Sequence, residues 1–317
     1  MTRSSRIDWL IFIALGFFWG SSYLFIKIGV DHGLQPFTLI MFRLLIGFVL
    51  LATVVAVARE PLPRDPRTYG HLAVMGTINI AVPFALITFA EQTVDSSLAS
   101  VINSAVPLFV IVIAALFLKG ETITLNRVAG LIVGFIGVAL LVGFDVTDLS
   151  SANAVGELAL LGATISYAIG NVYNKAHVHG LRPMIPALFQ VLFGLLVVGT
   201  LAFLFERPLA VVPAPEAILA VVWLGVFGSS LAYLFYFRIL QHWGATRTSM
   251  VAYLLPVVGI ALGALVLQEA VSISTLIGTV LVIGGIALVN SRFGTRPLFS
   301  RDRAPRDGVA PAGSGQP

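Results

Sequence analysis

Cysteine is absent from all 317 residues, which excludes disulfides, thiolate metal sites and cysteine nucleophiles. Charge is scarce as well. Only 11% of the residues are Asp, Glu, Lys or Arg and 58% are hydrophobic, against about 25% and about 45–50% in a soluble domain. No soluble core buries that much apolar surface. The apolar residues come in blocks about 20 long, the length a helix rising ~1.5 Å per residue needs to cross a hydrocarbon layer about 30 Å thick. The lipid bilayer is therefore the expected solvent.

Catalytic signatures are missing too. HExxH, GxSxG and Walker patterns do not occur, and His32, His71, His177, His179 and His242 each fall near the end of an apolar block. His177-x-His179 has the spacing of a weak metal pattern but no acidic neighbours in its loop. The sequence thus predicts no enzyme, no cofactor and no metal. A pI near 9.6 and a net charge of +4 do not point to nucleic acid, because the basic residues are spread over short loops rather than gathered on one face.

Scanning for apolar runs predicts ten spans, at 9–29, 36–57, 70–90, 96–118, 125–143, 155–175, 184–205, 217–239, 245–267 and 273–290. The first is preceded by Arg3 and Arg6, as a signal peptide would be. It is longer than a signal-peptide core of ~7–15 residues and has no A-x-A-like exit, so it is expected to stay as an anchor. The tail at 291–317 carries Arg292, Arg296, Arg301, Arg303 and Arg306 among Pro and Gly, and is expected to be disordered and cytoplasmic. Connections are short, so function has to sit between helices.

Lys and Arg concentrate on the cytoplasmic side of multi-span proteins. With both termini cytoplasmic, 16 of the 19 basic residues fall on inner segments or helix ends, and only Arg207 on an outer one. Lys27 and Arg43 lie within spans.

Sliding the chain against itself by 147 to 149 residues aligns Lys27 with Lys175, Gly33-Leu34 with Gly180-Leu181, Pro36 with Pro183, and Gly47 with Gly194. It also aligns Gly76 with Gly225, Ser100 with Ser249, Pro107 with Pro256, Glu121 with Glu269, Gly130 with Gly278 and Gly137 with Gly285. A duplicated five-helix unit explains this, at 9–143 and 155–290. Five is odd, so the second copy enters from the opposite side, as in secondary transporters that exchange conformations about a midplane site. Duplication for stability alone is the competing explanation.

The stretches FFWGSSYLFIKIGV (17–30), PFTLIMFRLLIGFVLL (36–51), SLASVINSAVPLFVIVIAALFLKGE (97–121) and TSMVAYLLPVVGIALGALVLQE (248–269) resemble the EamA-domain proteins of the drug/metabolite transporter superfamily. The likeness covers about residues 9 to 290. It implies an all-α membrane protein with ten transmembrane helices in two inverted EamA repeats around a central cavity, moving small metabolites such as amino acids across the cell (inner) membrane.

Charge inside a span costs roughly 2.5–3.5 kcal/mol on insertion scales and normally faces a cavity or a partner. Arg43 is seven residues into the second span, and its repeat counterpart is the neutral Gln190. Trp19, Tyr23 and Lys27 share one helical face, and Tyr167, Asn171 and Lys175 repeat the spacing. Such a stripe suits a cavity lining that stacks on a substrate body and bonds its polar end. Interfacial anchoring, with the lysines snorkelling, is the rival reading. Asn79, Asn103, Tyr233 and Tyr253 complete the candidate substrate-binding set, with Pro107 and Pro256 as candidate hinges. Glu91, at the outer end of the third span, reads as a solvated loop charge ahead of a proton-coupling carboxylate. Glu121 and Glu269 read as caps or loop contacts. Gly130, Gly134 and Gly137, with Gly278, Gly284 and Gly285, read as internal helix packing, so a monomer or weak homodimer is expected. A channel is the other class in view, although pores are usually lined by rings from symmetric subunits.

Overall fold

The computed structural model describes residues 6–118, 122–142, 151–178, 180–210, 212–244, 248–291 and 297–300. Thirteen α-helices run in chain order among them. They are α1 (Arg6–Asp31), α2 (Pro36–Val57), α3 (Pro66–Gly76), α4 (Val82–Ala90), α5 (Ser96–Asn103), α6 (Val106–Phe117) and α7 (Leu125–Leu141), then α8 (Ala152–His177), α9 (Met184–Phe205), α10 (Pro215–Trp223), α11 (Ala232–Trp243), α12 (Leu254–Val266) and α13 (Ile273–Val289). Together α3–α4, α5–α6, α10–α11 and the stretch Ser249–Val266 each make one apolar span, giving among the described residues eight helical spans long and apolar enough to cross a membrane. The two shorter apolar helices, α7 and α13, stand beside them.

Local chemistry sets the ends. Pro36, Pro66 and Pro215 open helices where a missing N–H costs nothing. Ser151 and Ser272 accept the backbone N–H of Ala154 and Thr275 as N-caps. Gly33 and Gly180, at matching places in the two halves, follow α1 and α8 at φ 87° and 71°, a left-handed turn that a side chain would strain.

The surface is the reverse of a soluble protein's. Leu204, Phe205, Leu265 and Val280 point outward, whereas Ser100, Thr164 and Ser229 are buried. An apolar exterior over a core with polar residues fits a chain solvated by lipid.

Two pairs of equivalent helices, α7 with α13 and α2 with α9, pack antiparallel. A Cβ on Gly130 of α7 would lie 2.5 Å from the Gly285 carbonyl of α13, and one on Gly137 would lie 2.9 Å from the Gly278 carbonyl. The glycines thus hold α7 and α13 in backbone contact inside the chain. Gly284 does not join them, since a Cβ there meets nothing. Helices α2 and α9 pair in the same way. Glu206, after α9, bonds the start of α2, while Glu60, after α2, meets Arg182 just before α9 at 2.8 Å.

Pro297–Ser300 (β2) forms an antiparallel ladder with Thr122–Thr124 (β1), pairing Thr122 with Ser300 and Ile123 with Phe299. The other tail residues from 292 onward, like Glu121 and Lys119, lie outside the described residues.

Candidate functional site

The spans Pro66–Ala90 and Pro215–Trp243 each change winding at the same place in the repeat. Thr77–Ala81, between α3 and α4, and Leu224–Leu231, between α10 and α11, are π-helical, beginning next to the matched Gly76 and Gly225. π segments are rare and favour functional positions. Here each one faces the second span of the other half. Gly225 lies against Ile46 and the Arg43 carbonyl, and Gly76 against Phe193 and the Gln190 carbonyl. Two equivalent polar contacts result. Arg43 Nε donates to Ser229 Oγ at 3.1 Å, and Asn79 Nδ2 donates to Gln190 Oε1 at 2.9 Å. The first is charged and the second neutral, so the duplication has diverged at one of its two matched points.

Arg43 is 3% exposed. Its guanidinium carbon lies 4.2 Å from the centroid of the Phe84 ring, and Gly228 leaves room for it, since a Cβ there would lie 3.3 Å from Nη2. Ion pairs of the described residues do not include it. The ionisable side chains that act on it are Tyr167, Tyr233, Glu91 and Tyr23. A buried cation over an aromatic face, with phenols around it and no carboxylate within ion-pair reach, is suited to receive an anion.

Tyr23 accepts a hydrogen bond from Asn103 Nδ2 at 2.5 Å. Asn103 Oδ1 is also buried and has no protein partner among the described residues, so an acceptor is left open beside the same phenol. Trp19 meets Tyr233 edge-on, with ring centroids 6.3 Å apart, and leans on Tyr236 at 5.5 Å. Trp19, Tyr23, Arg43, Asn103, Tyr167 and Tyr233 therefore form one connected group.

The remaining sequence candidates have other engagements. Asn79 is bonded to Gln190. Asn171 is exposed, donates to the Tyr167 carbonyl of its own helix at 2.8 Å, and lines a cleft of about 200 Å³ with Val110, Arg127 and Lys175. Tyr253 accepts from Asn290 Nδ2 at 3.0 Å. Pro107 is the second residue of α6, directly after a break at Ser104–Ala105, and Pro256 follows the 3-10 turn Ser249–Tyr253. Both prolines therefore mark an interrupted helix.

Sequence reasoning missed three features. Phe84 read as one more apolar residue. Glu91, read as a solvated loop charge, is 0% exposed with both carboxyl oxygens unpartnered among the described residues. Lys27, expected to snorkel, instead donates to the Glu91 main-chain carbonyl at 2.8 Å and pairs with Asp31 at 3.4 Å. The cap reading of Glu269 matches its geometry. It accepts from Ser96 N at 2.8 Å and Ser97 N at 2.9 Å, and from both serine hydroxyls. His177 stacks on Tyr173 and His71, and His179 lies outside the described residues.

A sequence profile of the EamA-like transporter family matches residues 7–143 and again 154–291. The chain belongs to the EamA-like transporter family. Its two matched stretches make it a two-repeat family member and a multi-span membrane protein. Among its relatives, the uncharacterized transporter YoaV of Bacillus subtilis is 25% identical over 290 residues, covering 90% of this chain and 97% of that protein. The uncharacterized inner membrane transporter YedA of Escherichia coli K12 is 29% identical over 251 residues, 79% of each chain. A solved crystal structure superposes with a TM-score of 0.65 at 22% identity, covering 90% of this EamA-like chain and 96% of the other, which shows a shared fold.

Proposed function

We propose that this EamA-like protein carries a small amphiphile bearing a carboxylate, an amino acid or a close relative, across the inner membrane by alternating access, in the direction of export. The carrying observation is Arg43, a buried cation with no acidic partner among the described residues. A guanidinium can hold a carboxylate through two parallel hydrogen bonds. The open Asn103 Oδ1 is an acceptor for an ammonium group, and Trp19, Tyr23, Tyr167 and Tyr233 supply rings for the apolar body. That pairing of donor and acceptor favours an amino acid over a simple organic anion.

In this reading α7 and α13 also span, which makes ten helices in two inverted repeats, with both termini cytoplasmic. The antiparallel contacts of α2 with α9 and of α7 with α13 support it, as does the asymmetric placement of Lys and Arg. YedA, by its name, is an inner membrane transporter, which supports the same membrane here. The candidate site is built within one chain, so a monomer suffices.

Solute counterflow in proteoliposomes tests the function. Labelled amino acids and their decarboxylated amines are offered against the same unlabelled solute inside. Saturable accumulation of amino acids over the amines is expected. Equal flux of both, or ohmic current without counterflow, rejects the carrier reading.

A further inference from the structure

Among the described residues no hydrogen bond or ion pair joins Glu91 to the site just described, although its charge acts on Arg43. Glu91 follows the last residue of α4, and under the proposed topology it sits at the outer rim of the bundle. It is wholly buried, and neither carboxyl oxygen has a protein partner among the described residues. The nearby cation does not neutralise it directly, because Lys27 gives its ammonium to the Glu91 main-chain carbonyl and to Asp31. The charged groups acting on it are Lys27 and Asp31 of α1, Arg43 of α2 and Glu269 of the turn after α12. On the neighbouring α8, Glu157 follows Gly156, which packs on Val94, Thr93 and the Ala90 carbonyl. Asp95, four residues on, is itself pushed up from the ordinary carboxylate range by partial burial, then by Glu269.

We propose that Glu91 is a proton-binding residue linked to the opening of the outer side, protonated while that side is closed and ionised once it is open. The inference rests on the carrier reading for its two states. A carboxylate kept dry and without a donor is costly, whereas the acid is far less so. In the closed form the O–H bond is therefore intact. The latch five residues on, where Glu269 grips Ser96 and Ser97, closes the outer ends of α5 and α12 together. When that latch parts and water reaches Glu91, its proton leaves to bulk water and the carboxylate stays, with Lys27 as its cation. The sign follows from linkage. The closed form binds the proton more tightly, so acid on the outer side favours closure. Rising pH favours opening, by up to tenfold per pH unit between the two acid constants.

Two measurements on the purified full chain in nanodiscs test this, and neither uses a transported solute, so their failure is separate from failure of the carrier reading. The native chain lacks cysteine, and Ile87, one helical turn before Glu91, is buried in the core. Ile87→Cys is labelled with a charged maleimide from pH 6 to pH 8, alone and combined with Glu91→Gln. The ratio of the two labelling rates cancels the titration of the thiol. It is expected to rise several-fold with pH, and a constant ratio overturns the proposal. The second measurement is infrared difference spectroscopy on the cysteine-free protein, which does not depend on the Ile87 variant folding. A protonated-carboxyl band present at pH 7, absent in Glu91→Gln and retained with a shift in Glu91→Asp, is expected. A wild-type spectrum at pH 7 without a band that Glu91→Gln removes overturns it equally.

Discussion

In the proposed site Arg43 is the anion-holding group, and a substitution that separates its charge from its shape tests that assignment. Lys keeps the charge but presents a single ammonium in place of a planar fork, and cannot form two parallel bonds to one carboxylate. Arg43→Lys is expected to insert and fold yet transport a carboxylate substrate at least tenfold more slowly, a loss of about 1.4 kcal/mol or more of transition-state binding. Arg43→Gln, which copies the Gln190 of the other repeat, is expected to abolish the preference for that substrate over its amide. Initial rates for acid and amide, taken beside melting temperature in detergent, decide the matter. If both substrates fall equally and stability falls with them, Arg43 holds helices rather than substrate. Arg43 stood out in sequence because a charge in a span is rare. Glu91 was unreadable because it sits among Phe89, Ala90, Gln92 and Thr93, a mixed run typical of a loop. Its burial comes from tertiary packing, with Lys27 of α1 on its carbonyl and Gly156 of α8 against Ala90, Thr93 and Val94. Asn171 carried the same stripe signal as Tyr23 and Tyr253 was a candidate beside it, and their partners, a carbonyl of the same helix for Asn171 and Asn290 for Tyr253, depend on rotations that spacing does not encode.

Two carboxylates tie helix starts that would otherwise leave backbone donors unpaired at the outer side of the proposed topology. Glu206 accepts from Phe37 N at 3.0 Å, Thr38 N at 2.6 Å and Thr38 Oγ1 at 2.9 Å, and Glu269 does the same for α5. Removing such a cap costs about 0.5–2 kcal/mol. Glu206→Ala and Glu269→Ala are each expected to lower the melting temperature in detergent. If these caps are also the outer latch, both should speed maleimide labelling of the buried Ile87→Cys, whereas a cap that only stabilises its helix leaves labelling unchanged. At the α7–α13 contact, Gly130→Leu places a side chain where the Gly285 carbonyl and Val289 already lie. Overpacking of about 1–3 kcal/mol is expected, read as a lower melting temperature. Gly284→Leu, facing open space, should leave melting unchanged. The apolar blocks and glycine spacing made these elements legible, and Met184–Phe205 matches its predicted bounds. The π segments were not, because nothing in the composition of Thr77–Ala81 distinguishes π from α winding.

For the whole molecule, the duplicated pattern made the two repeats legible, and the matched glycines were read as internal packing, but which helices they join was not predicted. The divergence of Arg43 from Gln190 was legible in the repeat, but their partners, Ser229 and Asn79, were not, because a contact needs both sides in view. The proposed orientation is checked by a reporter enzyme active only outside the cytoplasm, fused after Asn290, and it should be silent. Alternating access is the larger claim. The interrupted helices at Ser104–Ala105 and Ser249–Tyr253 place bends at matching points of the two halves, so the inner ends of α6 and of the Ser249–Val266 rod are expected to change separation during transport. Phe117 and Met250 are exposed near those ends, and in a cysteine-free chain Phe117→Cys with Met250→Cys gives two unique labels. Double electron-electron resonance in liposomes is expected to show two distance populations whose ratio shifts when the counterflow substrate is added. A single unchanging distance, in protein that performs counterflow, contradicts alternating access.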